Sequence, residues 1–161
     1  MKRLAFKTLL AALFVAWFGL AYQVTSAQGE KPKAVDSILG VRVGAKLEEA
    51  HEKLKDLGTW GGRATDEGGR KEAWTLKKTE FSSVAYKTNA AGRVVWITGF
   101  VRPGKEIPFD KLGDLARATG KNKTGAVWDV KTQSSSYKLV AKGPDGKARV
   151  ITLVLLDAPP D

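Results

Sequence analysis

The sequence predicts an α+β protein of two tandem α-β-β-β units, their antiparallel sheets forming one layer packed under two helices. Three observations predict it. Trp74-Thr75-Leu76-Lys77 returns as Trp128-Asp129-Val130-Lys131 at an offset of 54, and Gly92 with Gly146, Ile97 with Ile151, and Thr98 with Thr152 keep that offset. A fixed offset held across strand-like runs and the turn between them marks two copies of one supersecondary unit. Two segments carry apolar residues at helical spacing, and each ends at a glycine. Each of these is followed by three runs with strand character, the last two joined by a turn.

The N-terminus comes first in the chain. Lys2, Arg3 and Lys7 lead into an apolar stretch over 9–22, after which the chain turns polar and small through Gln23, Val24, Thr25, Ser26 and Ala27. A basic start, an apolar core and a small-residue exit describe a secretory signal peptide over 1–27, cleaved after Ala27. The alternative is an uncleaved N-terminal anchor, but a spanning helix of about 20 apolar residues would have to include Gln23, Thr25 and Ser26. Both readings put the folded part in an extracytoplasmic location, periplasmic or secreted. The chain has no cysteine. That excludes a disulfide framework, a thiolate metal site, a cysteine nucleophile and a lipidated N-terminus. The formal charge of +10 becomes +7 once Lys2, Arg3 and Lys7 are removed. Such an excess favours anionic partners. In an exported chain, lipid headgroups and acidic glycans are better placed than nucleic acid, which is not expected as a partner.

Residues 28–37, with Lys31-Pro32-Lys33, read as a flexible spacer. The first unit spans 38–102. Leu47, Ala50, Leu54 and Leu57 fall on one helical stripe with Glu49 and Lys53 paired on the wet side, and Gly58 is positioned to stop the helix. Its start is poorly marked, because Lys46 stands where a Ser, Thr, Asp or Asn cap is wanted. Strands follow at 73–78, 81–88 and 93–101, with Asn89 to Gly92 supplying the turn before the third. The run 94–101 is apolar on both parities, the pattern of a central strand covered on both faces, one of them by the helix. The second unit spans 103–157. Pro108 opens a helix carrying Phe109, Leu112, Leu115, Ala116 and Thr119, weakened by Gly113 and ended by Gly120. Strands at 127–131, 136–142 and 148–157 repeat the first three, Gly143-Pro144-Asp145-Gly146 takes the turn position, and 158–161 form a tail. The halves differ mainly in a Gly-rich insertion over 59–71, read as a connecting loop and as the place to look for specialisation.

Few residues carry chemistry. His51 is the only histidine and lies within the first helix, beside its apolar stripe, where a packed or surface histidine is the plainer reading than a catalytic one. Glu48, Glu49, Glu52 and Asp56 crowd the same helix, but no loop carbonyls complete a cation shell, so they read as a solvated face. Gly61-Gly62-Arg63 and Gly68-Gly69-Arg70-Lys71 resemble phosphate-cradling loops in composition. Such loops run from a strand into a helix, whereas this segment runs from a helix into a strand. No enzyme, metal or cofactor is expected. Among the aromatic residues, Trp74 and Trp128 hold equivalent positions and are expected to pack each helix on its sheet. Trp60, in the insertion, is the best placed for an exposed contact. Trp60, Arg63, Arg70, Lys71, Tyr86 and Tyr137 are the expected partner-binding residues.

Val43-Gly44 ahead of a helix with Leu47-Glu48-Glu49-Ala50, then a meander whose turns end in Gly92-Arg93 and Gly146-Lys147, resembles the small envelope modules of the SmpA/OmlA type. In tandem the layout is also similar to the beta-lactamase-inhibitor-protein-like fold. The chain departs from SmpA/OmlA lipoproteins in having no cysteine for an anchor and no Thr or Ser helix cap. The resemblance implies a non-enzymatic, protein-binding envelope module. The expected function is thus an exported, monomeric, non-catalytic binding module that recognises a protein or envelope component through its open sheet face and the 59–71 loop. The alternative is a basic surface module holding anionic glycan or lipid headgroups by charge, with peripheral contact at an anionic membrane surface.

Overall fold

The computed structural model describes residues 34–66, 68–132 and 135–157. The signal peptide expected over 1–27, most of the 28–37 spacer and the 158–161 tail lie outside the described residues. Ser37–Ile38 (β1) and Val41–Arg42 (β2) form a hairpin. Leu39 and Gly40 between them both have positive φ, as a tight two-residue turn with matching twist requires. Leu47–Leu54 (α1) follows. Four strands come next: Gly58–Asp66 (β3), Gly69–Leu76 (β4), Phe81–Thr88 (β5) and Val94–Val101 (β6). Ile107–Pro108 (β7) and the single turn Phe109–Leu112 (α2) lead to Gly120–Asn122 (β8), Gly125–Lys131 (β9) and Ser136–Lys142 (β10). Lys147–Ala148 (β11) pairs with β7, and Val150–Asp157 (β12) is the last element among the described residues.

The α+β layout of α-β-β-β units under two helices is therefore corrected. Among the described residues the protein is mostly β, with 56% strand against 12% helix, and its centre is one eight-stranded antiparallel sheet. The strand order is β3-β4-β5-β6-β12-β10-β9-β8, so each half contributes four strands, joined where β6 pairs with β12. There Ile97 faces Leu153, Thr98 faces Thr152 and Gly99 faces Ile151. Shifting each number by the 54-residue offset exchanges the outer two pairs, so a local two-fold runs through the middle one. The hydroxyls of Thr98 and Thr152 lie 2.9 Å apart on it. The register carries this relation outwards: Trp74 faces Val84 and Val84 faces Gly99, as Trp128 faces Leu139 and Leu139 faces Leu153.

Both predicted helices are shorter than their patterns. In α1 only Ala50 and Leu54 are buried, and Leu57 leaves the helix. Gly58 does not terminate it. A Cβ at that glycine would lie 2.2 Å from the Thr75 carbonyl oxygen, so the residue is small because β3 approaches β4 there. The uncapped start at Lys46 is satisfied by backbone instead. Leu47 N–H donates to Gly92 O at 2.9 Å and Val94 N–H to Ala45 O at 2.8 Å, tying the helix entry to the turn before β6. The second helix is cut to one turn at Gly113, whose backbone is fully extended. A Cβ there would stand 3.0 Å from the Trp128 ring, so the chain lies flat over that indole rather than winding on. Asp114 Oδ1 then accepts from Ala116 N–H at 3.0 Å, a local turn that competes with helix.

The core lies on one face of the sheet. It gathers Ile38, Val41 and Val43, Ala50 and Leu54 of α1, Phe109 and Leu112 of α2, and the inward residues of β4, β5, β6, β9, β10 and β12. The helices, the β1–β2 hairpin and the β7–β11 ribbon therefore share that face.

Candidate functional site

The sheet's other face reads across the strands in three rows, because residues directly opposite in an antiparallel ladder point the same way. One row runs Lys71, Lys87, Trp96, Val154, Lys138, Asp129. The next runs Ala73, Ala85, Thr98, Thr152, Val140, Val127, and a third Thr75, Ser83, Phe100, Val150, Lys142. None of these residues belongs to the core cluster. The middle of the face is thus the Thr98–Thr152 pair bordered by apolar side chains, Trp96 and Phe100 on β6 and Val150 and Val154 on β12, and lysines stand on both flanks. Phe100 is 41% exposed. The run 94–101 is central, as its pattern predicts, but its second apolar parity is this open band and not a second covered face.

On the core face the first half carries a polar cluster that the second half lacks. Glu72 of β4 is buried, with a side chain 1% exposed. Its Oε2 accepts from Tyr86 Oη at 2.8 Å and from His51 Nε2 at 2.6 Å, the histidine reaching down from α1. An ionised carboxylate can only accept, so Nε2 carries the imidazole hydrogen. The His51 ring meets Trp74 edge-on with centroids 5.5 Å apart. Arg70 Nη1 stands 3.8 Å from Glu72 Oε1, completing the charge environment of the carboxylate. The Trp74 indole N–H has no hydrogen-bond partner, the one such buried side-chain group among the described residues. By register the places of Glu72 and Tyr86 are taken in the other half by Ala126 and Ala141, which face each other across β9 and β10.

Burial and then the Glu72 hydrogen bond push the Tyr86 hydroxyl well above its usual value of 10.0, while the nearby Trp74 indole opposes the rise without forming a well-aligned bond. A folded-state value raised in this way contributes stability below pH 10 that is lost as pH climbs beyond it. Unfolding free energies from urea titrations at pH 9 to 11 should fall, by at most about 1.4 kcal/mol per pH unit from this group, and Tyr86→Phe should flatten the fall. An unchanged alkaline slope in the variant would show that Tyr86 does not carry it.

The sequence-predicted partner residues divide. Tyr86 is fully buried and Tyr137 is 3% exposed, its hydroxyl donating to Val35 O at 3.1 Å, so both are corrected from partner contacts to core residues. The predicted 59–71 loop is corrected to an edge hairpin made of β3 and the start of β4. Within it Trp60, Arg63 and Arg70 stand on the core face of the sheet, opposite Trp74, Glu72 and Thr65 respectively, whereas Lys71 belongs to the open face. Trp60 is 48% exposed because β3 is an edge strand with nothing beyond it among the described residues. His51, read from sequence as a packed or surface residue, is both: its side chain is 42% exposed and also bound to a buried acid.

Known families, curated proteins and solved structures give no match to this chain. The site rests on its own geometry. A cleft of about 400 Å³ between the β1–β2 hairpin and α1 is lined by Arg42 and Lys53 but also by Glu49, so its charges are of both signs. Among the described residues no cluster of three or more His, Asp or Glu side chains could hold a metal ion.

Proposed function

We propose that this protein is an extracytoplasmic, non-catalytic binding module that recognises a protein or envelope component with the open face of its sheet. The observation that supports the reading most is the band of Trp96, Phe100, Val150 and Val154 around the Thr98–Thr152 pair, flanked by Lys87, Lys138 and Lys142. An apolar centre with a charged rim is the anatomy of a recognition surface, and exposed aromatic residues supply most of the energy in such contacts. The lysine flanks favour a partner whose rim is acidic, with the apolar band setting affinity and the charges setting orientation and rate. The resemblance to SmpA/OmlA and beta-lactamase-inhibitor-protein-like modules is not needed for this reading.

Phe100→Glu tests it. The side chain lies outside the core, so the substitution should change stability by less than about 1 kcal/mol. Capture of partners from envelope extract, compared between wild type and variant, should lose its main bands. An identical set captured by both would remove the sheet face as the binding surface.

A further inference from the structure

The bulge in β3 places two side chains where an unbroken strand would not. Residues three apart in a regular strand point to opposite faces. Between Trp60, which faces Trp74, and Gly62, which faces Ala73, the extra residue Gly61 breaks that alternation, so that Arg63 comes to face Glu72. Trp60 and Arg63 therefore share the core face of the sheet, at its outer edge. Their partners Trp74 and Glu72 are two positions apart on β4, which sets the pair about 7 Å apart along the strand. Bulges recur where a side chain has to be re-aimed at a ligand.

The groups gathered there have a consistent chemistry. Trp60 offers a half-exposed indole at the sheet margin. The Arg63 side chain is exposed and makes no hydrogen bond or ion pair among the described residues. Arg70, on the same face, holds only the loose 3.8 Å contact to Glu72, leaving donors of its fork to spare. Two guanidinium groups stand against one carboxylate, and that carboxylate is already occupied by Tyr86 and His51. The second half has none of this. By register Lys121 takes the place of Arg63, β8 is three residues long, and Thr119 ahead of it is turned to the Val127 carbonyl.

We infer that the Trp60–Arg63–Arg70 ledge of the bulged hairpin binds a carboxylated sugar ring of an acidic glycan. The exposed indole is a platform for the apolar face of a pyranose, and a guanidinium fork matches a carboxylate with two parallel hydrogen bonds. The spacing of the two groups is on the order of one sugar ring. The ledge is on the opposite side of the sheet from the face assigned above to a partner, and neither assignment depends on the other.

The test is calorimetric titration of the full chain with an oligogalacturonate, a neutral oligogalactoside of equal length and a polyglutamate of equal charge. The uronate should bind, the neutral sugar should not, and polyglutamate should bind much more weakly. Trp60→Ala and Arg63→Gln, both at exposed positions that leave the fold intact, should each weaken uronate binding about tenfold or more. Phe100→Glu should leave it unchanged. Equal affinity for polyglutamate would reduce the ledge to a patch of charge. Absent uronate binding, binding indifferent to both ledge substitutions, or loss of binding on Phe100→Glu would each overturn the assignment.

Discussion

Trp128→Ala is expected to cost about 3–5 kcal/mol in urea denaturation, and Trp74→Ala nearly as much, because both indoles are buried at equivalent places between the sheet and what packs on it. Phenylalanine separates them. The Trp128 Nε1–H donates to the Asp114 carbonyl oxygen at 2.9 Å, so Trp128→Phe loses packing and also leaves that oxygen without its donor, about 1 kcal/mol more. The Trp74 Nε1–H has no partner to lose, and removing an orphaned buried donor recovers a desolvation penalty of about 1–3 kcal/mol that offsets the smaller ring. Trp74→Phe should therefore be close to neutral while Trp128→Phe is clearly destabilising. Trp60→Ala, at the exposed margin, should cost under about 1 kcal/mol. Equal losses for the two phenylalanine variants would mean that the Trp74 indole is satisfied in solution, and the difference in hydrogen bonding would carry no energy.

The strands were the legible part of this fold, and the glycines the misleading part. Alternation and turn residues place strands at 81–88 and 136–142, and β5 and β10 occupy those spans. The error lies where glycine was read as punctuation. Gly61 and Gly62 form a bulge, and Gly69 is small because a Cβ there would stand 1.8 Å from the Thr88 carbonyl oxygen. Glycine that admits a neighbouring backbone and glycine that ends an element look alike in sequence. Two strands of the main sheet, β3 and β8, are therefore absent from the sequence reading, and with them the two edges of the eight-stranded sheet. The second helix failed for the opposite reason. Phe109, Leu112, Leu115 and Ala116 keep helical spacing, but the extended Gly113 lies against the Trp128 ring, a tertiary contact that no periodicity records.

The candidate surfaces were legible in composition and not in side. Trp60, Arg63 and Arg70 are neighbours in sequence, yet only the bulge in β3 sets Trp60 and Arg63 on one face, and alternation along β4 puts Arg70 with them and Lys71 on the other. Tyr86 was misread because a tyrosine alternating with small and charged residues fits either face of a strand. What turns it inwards is Glu72, and that acid did carry a signal: Arg70, Glu72, Trp74 and Leu76 share a parity, and the two apolar residues mark it as the inward one. A carboxylate on an inward parity asks for partners, and the only histidine of the chain was available on the helix above.

That pair should be the most strongly coupled in the molecule. Glu72 is buried and His51 is its nearest positively chargeable neighbour, so His51→Ala leaves the carboxylate with the Tyr86 hydroxyl and an arginine at 3.8 Å. Breaking a buried pair from one side can cost about 3–5 kcal/mol, and the half-exposed histidine brings the expected loss to about 2–3, since water can enter where the ring stood. Glu72→Ala removes the charge but strands the fully buried Tyr86 hydroxyl and opens a cavity, for a similar loss. The double variant should cost less than the sum, by about 1–2 kcal/mol, because each removal takes away a group the other has already orphaned. Four urea curves at pH 6, wild type, two singles and the double, close the cycle. Additive losses would show that the 2.6 Å contact between His51 and Glu72 contributes nothing, and that the difference between the two halves of the sheet at this place is one of packing alone.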